Sequence, residues 1–369
     1  MNNSTVSPPL ENYIYIYEWN DTYGGNDSSE GDGHYESRQG YNVVAYSLVL
    51  AVILILGLVG NCTFMYVTWK VPSMRTVLNI YLMNLCVADT LFLVTGIPIR
   101  ICLNHEVIAS NNVNAIVFFF ATFCFIPQAA GLFTVTLISI ERYVGICHPL
   151  KARYFRNKYR IWVSVMASWL VGLLPCLLFA IGKELMFKST AVITAAFLCD
   201  ILSFVVCLFI VFFLYSMIIC KMRTDGPALA NNAMLQDRKQ VVVLLVVTTS
   251  VFFVCLFPTY VIQFELLLHE MGVTFIWTFR PGIFYMLASV LLYFNSAINP
   301  VIYNITSAKY REAFKKALDQ WKCEREIFSA HGHGMITPPR SPTTRRQLRT
   351  KGMERRQSLA PSLPEIQPV

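Results

Sequence analysis

Charged and amide side chains set inside long apolar stretches are the residues of this chain whose chemistry needs explaining. An ionised group at the centre of a bilayer costs about 2.5–3.5 kcal/mol even on permissive insertion scales, so such groups sit where they pair, carry ions or bind ligands. They are few: Asp89 after Asn84-Leu-Cys-Val-Ala, the run Glu141-Arg142-Tyr143, Asp200, Glu265, and the amide of Asn61. Near the end of the last apolar stretch comes Asn295-Ser-Ala-Ile-Asn299-Pro300-Val-Ile-Tyr303-Asn. Pro300 removes a backbone donor and kinks a helix, and neighbouring amides can satisfy the carbonyl it frees. Each group has two readings. Asp89 is a neutral acid bonded to neighbouring amides such as Asn61 and Asn299, or a functional group. Glu141 and Arg142 are a surface pair at the membrane boundary, or a functional pair. Asp200 and Glu265 bond neighbouring helices, or meet a cationic ligand.

Seven stretches must position these residues: 43–69, 77–99, 113–145, 161–181, 191–220, 241–268 and 283–304. Each reaches the roughly 20 residues that span a bilayer core. The 369 residues are 55% hydrophobic and only 14% charged, and the apolar excess comes in blocks. A soluble domain would carry about 25% charged residues. The reading is all-α: a seven-transmembrane helix bundle over 43–304, with polar tails.

Loop charge sets the orientation. Lys70, Arg75, Lys151, Arg153, Arg156, Lys158, Arg160, Lys221, Arg223, Arg238 and Lys239 share one side, against Arg100, Lys183, Lys188 and Arg280 on the other. The richer side is expected in the cytoplasm, which puts the amino terminus outside. Residues 1–42 are acidic and carry sequons at Asn2, Asn3, Asn20 and Asn26, expected to be glycosylated. The net charge of +8 is scattered among spans, so it reads as topology and not as a nucleic-acid footprint. Residues 305–323 form an expected amphipathic helix eight at the lipid surface, with Tyr310, Phe314 and Leu318 on its apolar face and Cys323 as a palmitoylation candidate. Residues 324–369 read as a disordered cytoplasmic tail with candidate phosphosites Ser341 and Ser358.

Gly60-Asn61, Leu85-Cys-Val-Ala-Asp89, Glu141-Arg142-Tyr143, Trp169, Phe252 through Pro258 and Asn299-Pro300-x-x-Tyr303 occur in this order. Together they resemble the signature of rhodopsin-like (class A) G-protein-coupled receptors, over residues 43–323. The strings Ile138 to Arg153, Arg238 to Val241 and Tyr293 to Asn304 are similar to a peptide-receptor branch containing thyrotropin-releasing-hormone, ghrelin and neuromedin U receptors. The resemblance implies that Glu141, Arg142, Tyr143, Tyr215, Asn299, Pro300 and Tyr303 carry coupling and activation. It implies a partial sodium site of Asp89, Asn295 and Asn299.

The chain departs from that pattern. The position of the family's helix-three Cys is Val117, the helix-six Trp is Leu256, the helix-five Pro is Cys207, and the helix-three Ser of the sodium site is Gly131. Pro127 is an added kink. With only Cys102 expected at the outer surface, no disulfide is predicted. Cys124 stands where aminergic receptors place an Asp, and Tyr293 where opsins place a Lys. The remaining ligand-pocket candidates are Cys124, Phe125, Gln128, Asp200, Tyr260, Gln263, Glu265 and Tyr285.

The expected function is a receptor for a neuropeptide or peptide hormone that signals to a heterotrimeric G protein, of the Gq class by resemblance. Arrestin, receptor kinases and membrane lipid are further expected partners. No enzyme activity, cofactor or metal is expected, and the location is the plasma membrane. One rival keeps the fold without ligand dependence, as a constitutively active or scavenging receptor. The other is a transporter, which would need ionisable residues tracing a path across the membrane.

Overall fold

The computed structural model describes residues 32–104, 122–155, 157–180, 190–225, 233–270 and 281–332. The candidate sites Asn2, Asn3, Asn20, Asn26, Ser341 and Ser358, and also Val117, lie outside them.

The described residues are almost wholly helical. Helix α1 runs Asp32–Lys70, followed by a 3-10 turn at Pro72–Met74. Then come α2 (Val77–Asn104), α3 (Phe125–Cys147), the short α4 (Pro149–Phe155) and α5 (Lys158–Ala180). Next are α6 (Thr190–Asp225), α7 (Ala233–Glu270), α8 (Pro281–Thr306) and α9 (Ala308–Gly332). All but α4 and α9 contain a segment long and apolar enough to cross a membrane, seven in all. They are spans one to seven of the sequence reading.

The spans close a ring. α1 lies on α2, α2 on α3, α3 on α5, α5 on α6, α6 on α7, α7 on α8, and α8 returns to α1. α3 also meets α6, and α8 meets α2. Large apolar side chains cover the outside, among them Leu48, Ile55, Val59, Phe209, Phe212, Val254 and Phe257. On a water-soluble surface such a belt would drive association; on a bundle of spans it meets lipid.

Small and polar residues set the helix contacts, as expected where burial of apolar surface gives no net gain over lipid. A Cβ on Gly172 of α5 would lie 2.8 Å from the Ile126 carbonyl oxygen of α3, so glycine permits that approach. Spans two, three and four are joined by one amide. Asn84 donates through Nδ2 to Thr134 Oγ1 at 2.7 Å and accepts the Trp169 indole N–H at 2.9 Å. Pro98, Pro175, Pro258 and Pro300 lie inside helices that continue past them.

Several boundaries differ from the sequence reading; α6 ends at Asp225 instead of 220 and α7 begins at Ala233 instead of 241. α1 begins at Asp32, eleven residues before the expected span at Val43. α2 continues to Asn104, so Arg100, counted with the outer loops, lies on a helix. Helical geometry is interrupted at Cys124, three residues before Pro127, and resumes at Phe125, so the proline, which has no N–H to donate, falls where a helix does not need one. Pro127 thus lies in the first turn of α3 instead of kinking its interior. α9 runs on to Gly332, beyond the expected end at 323, through the helix-favouring run Cys323-Glu-Arg-Glu. The chain divides within α9 into a unit of residues 1–314 and one of 315–369. The buried stripe of α9's first part is Tyr310 and Ala313, whereas Leu318 is exposed.

Candidate functional site

Inner and outer ends are named here by the loop-charge rule. At the inner end of α3, the Glu141 and Arg142 side chains form an ion pair of adjacent residues, neither fully buried. Tyr143 does not join them; its hydroxyl lies 3.3 Å from His148 Nε2. Tyr215 of α6 meets Thr249 of α7 at 3.2 Å and lies beside Ser139 and Arg142. Tyr303 of α8 is 1% exposed, and its buried hydroxyl has no hydrogen-bond partner. Its ring lies 5.2 Å from Phe64 and 5.8 Å from Tyr310 between centroids.

Tyr310 fastens the start of α9 to α2. Its hydroxyl donates to Asn79 Oδ1 at 2.6 Å, and Asn79 Nδ2 donates to the Met74 carbonyl at 2.6 Å. Burial raises the Tyr310 pKa above its ordinary value, while the charge of Arg142 pulls the other way. The phenol therefore keeps its proton and donates.

In the middle of the bundle, Asn299 donates to Asp89 Oδ2 at 2.9 Å, and Ser296 lies beside the same carboxyl. Asn61 donates instead to the Ser296 carbonyl at 2.9 Å. Asn295 Oδ1 is buried without a partner. Asp89 and Asn295 thus supply three side-chain oxygens, one of them already accepting from Asn299, which turns its nitrogen inward, and Gly131 supplies none. This set fits a hydrogen-bonded buried acid better than a cation cage. Among the described residues, no group of three or more His, Cys, Asp or Glu could hold a metal ion.

In the outer half, four of the pocket candidates come together from three helices. The Tyr260 hydroxyl of α7 lies 3.5 Å from Asp200 Oδ1 of α6, and the Gln263 amide lies against the same carboxyl. Gln128 of α3 lies beside the Tyr260 hydroxyl. The Tyr260 ring stacks on Phe204 at 3.9 Å. Asp200 is 3% exposed and lines neither cavity described below, so it does not face open water. Gln128 Nε2, Asp200 Oδ2, Thr259 Oγ1 and Gln263 Oε1 are all buried without a hydrogen-bond partner. Four such atoms in one region are unusual, because buried polar groups are nearly always paired.

The other candidates stand around this cluster. Glu265 lies near Tyr285, the Phe125 ring meets Phe197 at 6.5 Å, and Cys124 Sγ lies 3.2 Å from Thr95 Oγ1. A cavity of about 20 Å³ is lined by Arg100, Thr259, Ile262, Gln263, Tyr285, Ala288 and Ser289. A wider groove of about 410 Å³ opens between α3 and α6, where Phe133, Leu137, Ile140 and Val206 face the lipid side. Arg100, Thr259 and Ser289 were not singled out from the sequence. A span ended at residue 99 hid Arg100; its position two residues after Pro98 within a continuing helix was the available signal.

Residues 60–303 match the family described as the 7 transmembrane receptor (rhodopsin family). The chain belongs to that family. It is a G-protein-coupled receptor, a multi-pass protein of the plasma membrane, and not an enzyme. It is similar to mouse somatostatin receptor type 2, with 26% identity over 314 residues, 79% of this chain and 81% of the relative. It is similar to rat somatostatin receptor type 5, with 26% identity over 317 residues, 82% and 84% of the two chains. With rat somatostatin receptor type 4 the identity is 28% over 295 residues, 75% and 73% of the two. The expectation of a rhodopsin-like receptor of the peptide branch is borne out. The receptor keeps Asn299, Pro300 and Tyr303 together on α8, with Asp89 bonded to the first of them.

Proposed function

We propose that this receptor is activated by an extracellular peptide and passes the signal to a heterotrimeric G protein at the inner end of α3. The observation that carries the reading is the outer cluster of Gln128, Asp200, Tyr260 and Gln263, drawn from spans three, five and six, with three of its polar atoms and the Thr259 hydroxyl left without partners. A ligand bridging these spans would supply the missing partners and bias their relative positions, which is how a population shift is driven. The names of the relatives, all somatostatin receptors, support a peptide. The likeness to thyrotropin-releasing-hormone, ghrelin and neuromedin U receptors suggests the Gq class.

Asp200 Oδ2 is the proposed partner of a cation on the peptide. The amino terminus lies outside. Activation moves the inner end of α7 outward about Pro258, separates Tyr215 from Thr249 and opens a cleft at Arg142. Tyr303 then exchanges its aromatic neighbours for a polar partner. The phosphorylated tail recruits arrestin, and Cys323 carries palmitate.

A peptide library screened on receptor-bearing cells with a calcium readout tests the reading. Activation by one or more peptides, lost in Arg142→Ala at equal surface display, is expected. A full library without response, together with second-messenger output above that of untransfected cells, would replace it with a constitutively active receptor. Leu256 and Cys207, both buried where the family has Trp and Pro, favour that second reading.

A further inference from the structure

Spans three and five part on their lipid side, and the groove this leaves between α3 and α6 has regular walls. On α6, Leu202, Val206 and Ile210 recur every four residues and form one ridge, and all three are exposed. On α3, Phe133, Leu137 and Ile140 form the facing ridge, at spacings of four and three. The floor is Thr136 and Cys207, both buried. Their side chains meet, which closes the groove toward the bundle interior. α6 runs from Thr190 to Asp225 without a proline. Cys207 thus keeps the helix continuous along the groove, where a proline would kink it.

The groove asks its occupant for no hydrogen bond. Thr136 Oγ1 donates to the Leu132 carbonyl at 3.1 Å, and Ser203 Oγ donates to the Cys199 carbonyl at 2.7 Å. A polar group docked here would lose its water without return. The groove opens among the apolar side chains that meet lipid, so an occupant enters from the bilayer. Leu202 to Ile210 is about 12 Å of helix. The volume of about 410 Å³ over that length is a mean cross-section of roughly 35 Å². A single hydrocarbon chain, about 4 Å across at van der Waals spacing, fills less than half of it. Two chains side by side would fill it, but every bond of both would lose rotamer freedom. A flat fused-ring body of the same width is already ordered and avoids that cost.

We propose that this groove is a sterol site, filled from the inner leaflet. The rings lie between the two ridges, over Thr136 and Cys207. The groove's inner end is Ile140, the residue before Glu141. A hydroxyl at one end of the ring system therefore stays at the membrane boundary while the rings lie in the apolar part. Bound there, the sterol braces α3 against α6 in the arrangement in which Tyr215 of α6 meets Thr249 of α7. A ligand that binds one arrangement stabilises it by mass action, so the sterol content of the membrane sets how firmly these spans are held.

The full-length receptor in phosphatidylcholine vesicles that hold a photoactivatable sterol tests this. After illumination, the label should map by mass spectrometry to peptides covering residues 133–140 and 202–210, and unlabelled sterol should compete it away. Val206→Trp fills the groove from its rim and should reduce that label roughly tenfold, the scale of a clash between packed groups. Phe212→Trp, on the exposed lipid face but outside the groove, should leave it unchanged. Sterol should raise the thermal midpoint of the unmutated receptor and of Phe212→Trp, but not that of Val206→Trp. If Val206→Trp does not fold, Leu202→Trp obstructs the same groove. Label spread evenly around the apolar belt, or undiminished in a folded Val206→Trp receptor, would mean contact with bulk lipid only and would overturn the site. A photoactivatable fatty acid that labels the groove as strongly as the sterol, and competes with it, would overturn it too, since the occupant would then be an acyl chain.

Discussion

Tyr310 shows how much one oxygen atom can matter. A phenylalanine there would keep the contacts with Phe64 and Tyr303 but lose the 2.6 Å bond to Asn79. Tyr310→Phe should destabilise the receptor by about 1–2 kcal/mol, since a buried bond is lost and an acceptor is left unmet. The thermal midpoint in detergent should fall, and a double-mutant cycle with Asn79→Ala should show coupling of about 0.5–1.5 kcal/mol. Additive effects would mean that the hydroxyl is not bonded to Asn79. Asp200 is the second test at this scale. Asp200→Asn keeps the shape and removes the charge. Truncating one partner of a desolvated charge pair costs about 2–5 kcal/mol, so the potency of a cationic agonist should fall roughly thirtyfold or more. Unchanged potency would make Asp200 a purely structural partner of Tyr260 and Gln263.

Contacts between whole helices rest on a few small or polar residues. At Gly172 α5 comes close to the backbone of α3, and its missing Cβ is what leaves room for the Ile126 carbonyl. Gly172→Ala must push the helices apart at rigid backbone, with an expected cost of about 1–3 kcal/mol. Reduced surface display and a lower thermal midpoint would show it; a fully stable Gly172→Leu would contradict the packing of these spans. Asn84 is the matching polar joint. It was legible only as part of a string leading to Asp89, and its simultaneous bonds to Thr134 and Trp169 depend on three helices meeting.

For the molecule as a whole, the ten cysteines whose side chains are described are all free thiols. Reductant should leave the thermal midpoint and surface display unchanged, and a cross-linked peptide found by mass spectrometry would refute this. Seven spans, an eighth helix, the receptor family and the pairing of Asp89 with Asn299 were all legible in the sequence. The reason is that a bilayer demands apolar runs of fixed length, and the few polar residues that break those runs stand out against them. The mutual approach of Asp200, Tyr260, Gln263 and Gln128 was legible only as separate candidates. Three other features were decided by the tertiary structure: the burial of Asp200 away from open water, the inward position of Arg100, and the bond that makes Tyr310 a fastening instead of an apolar anchor. Each depends on the rotation and length of a helix relative to its neighbours. Hydropathy sets which residues lie within the membrane, but it carries no information on which face of one span meets which face of the next.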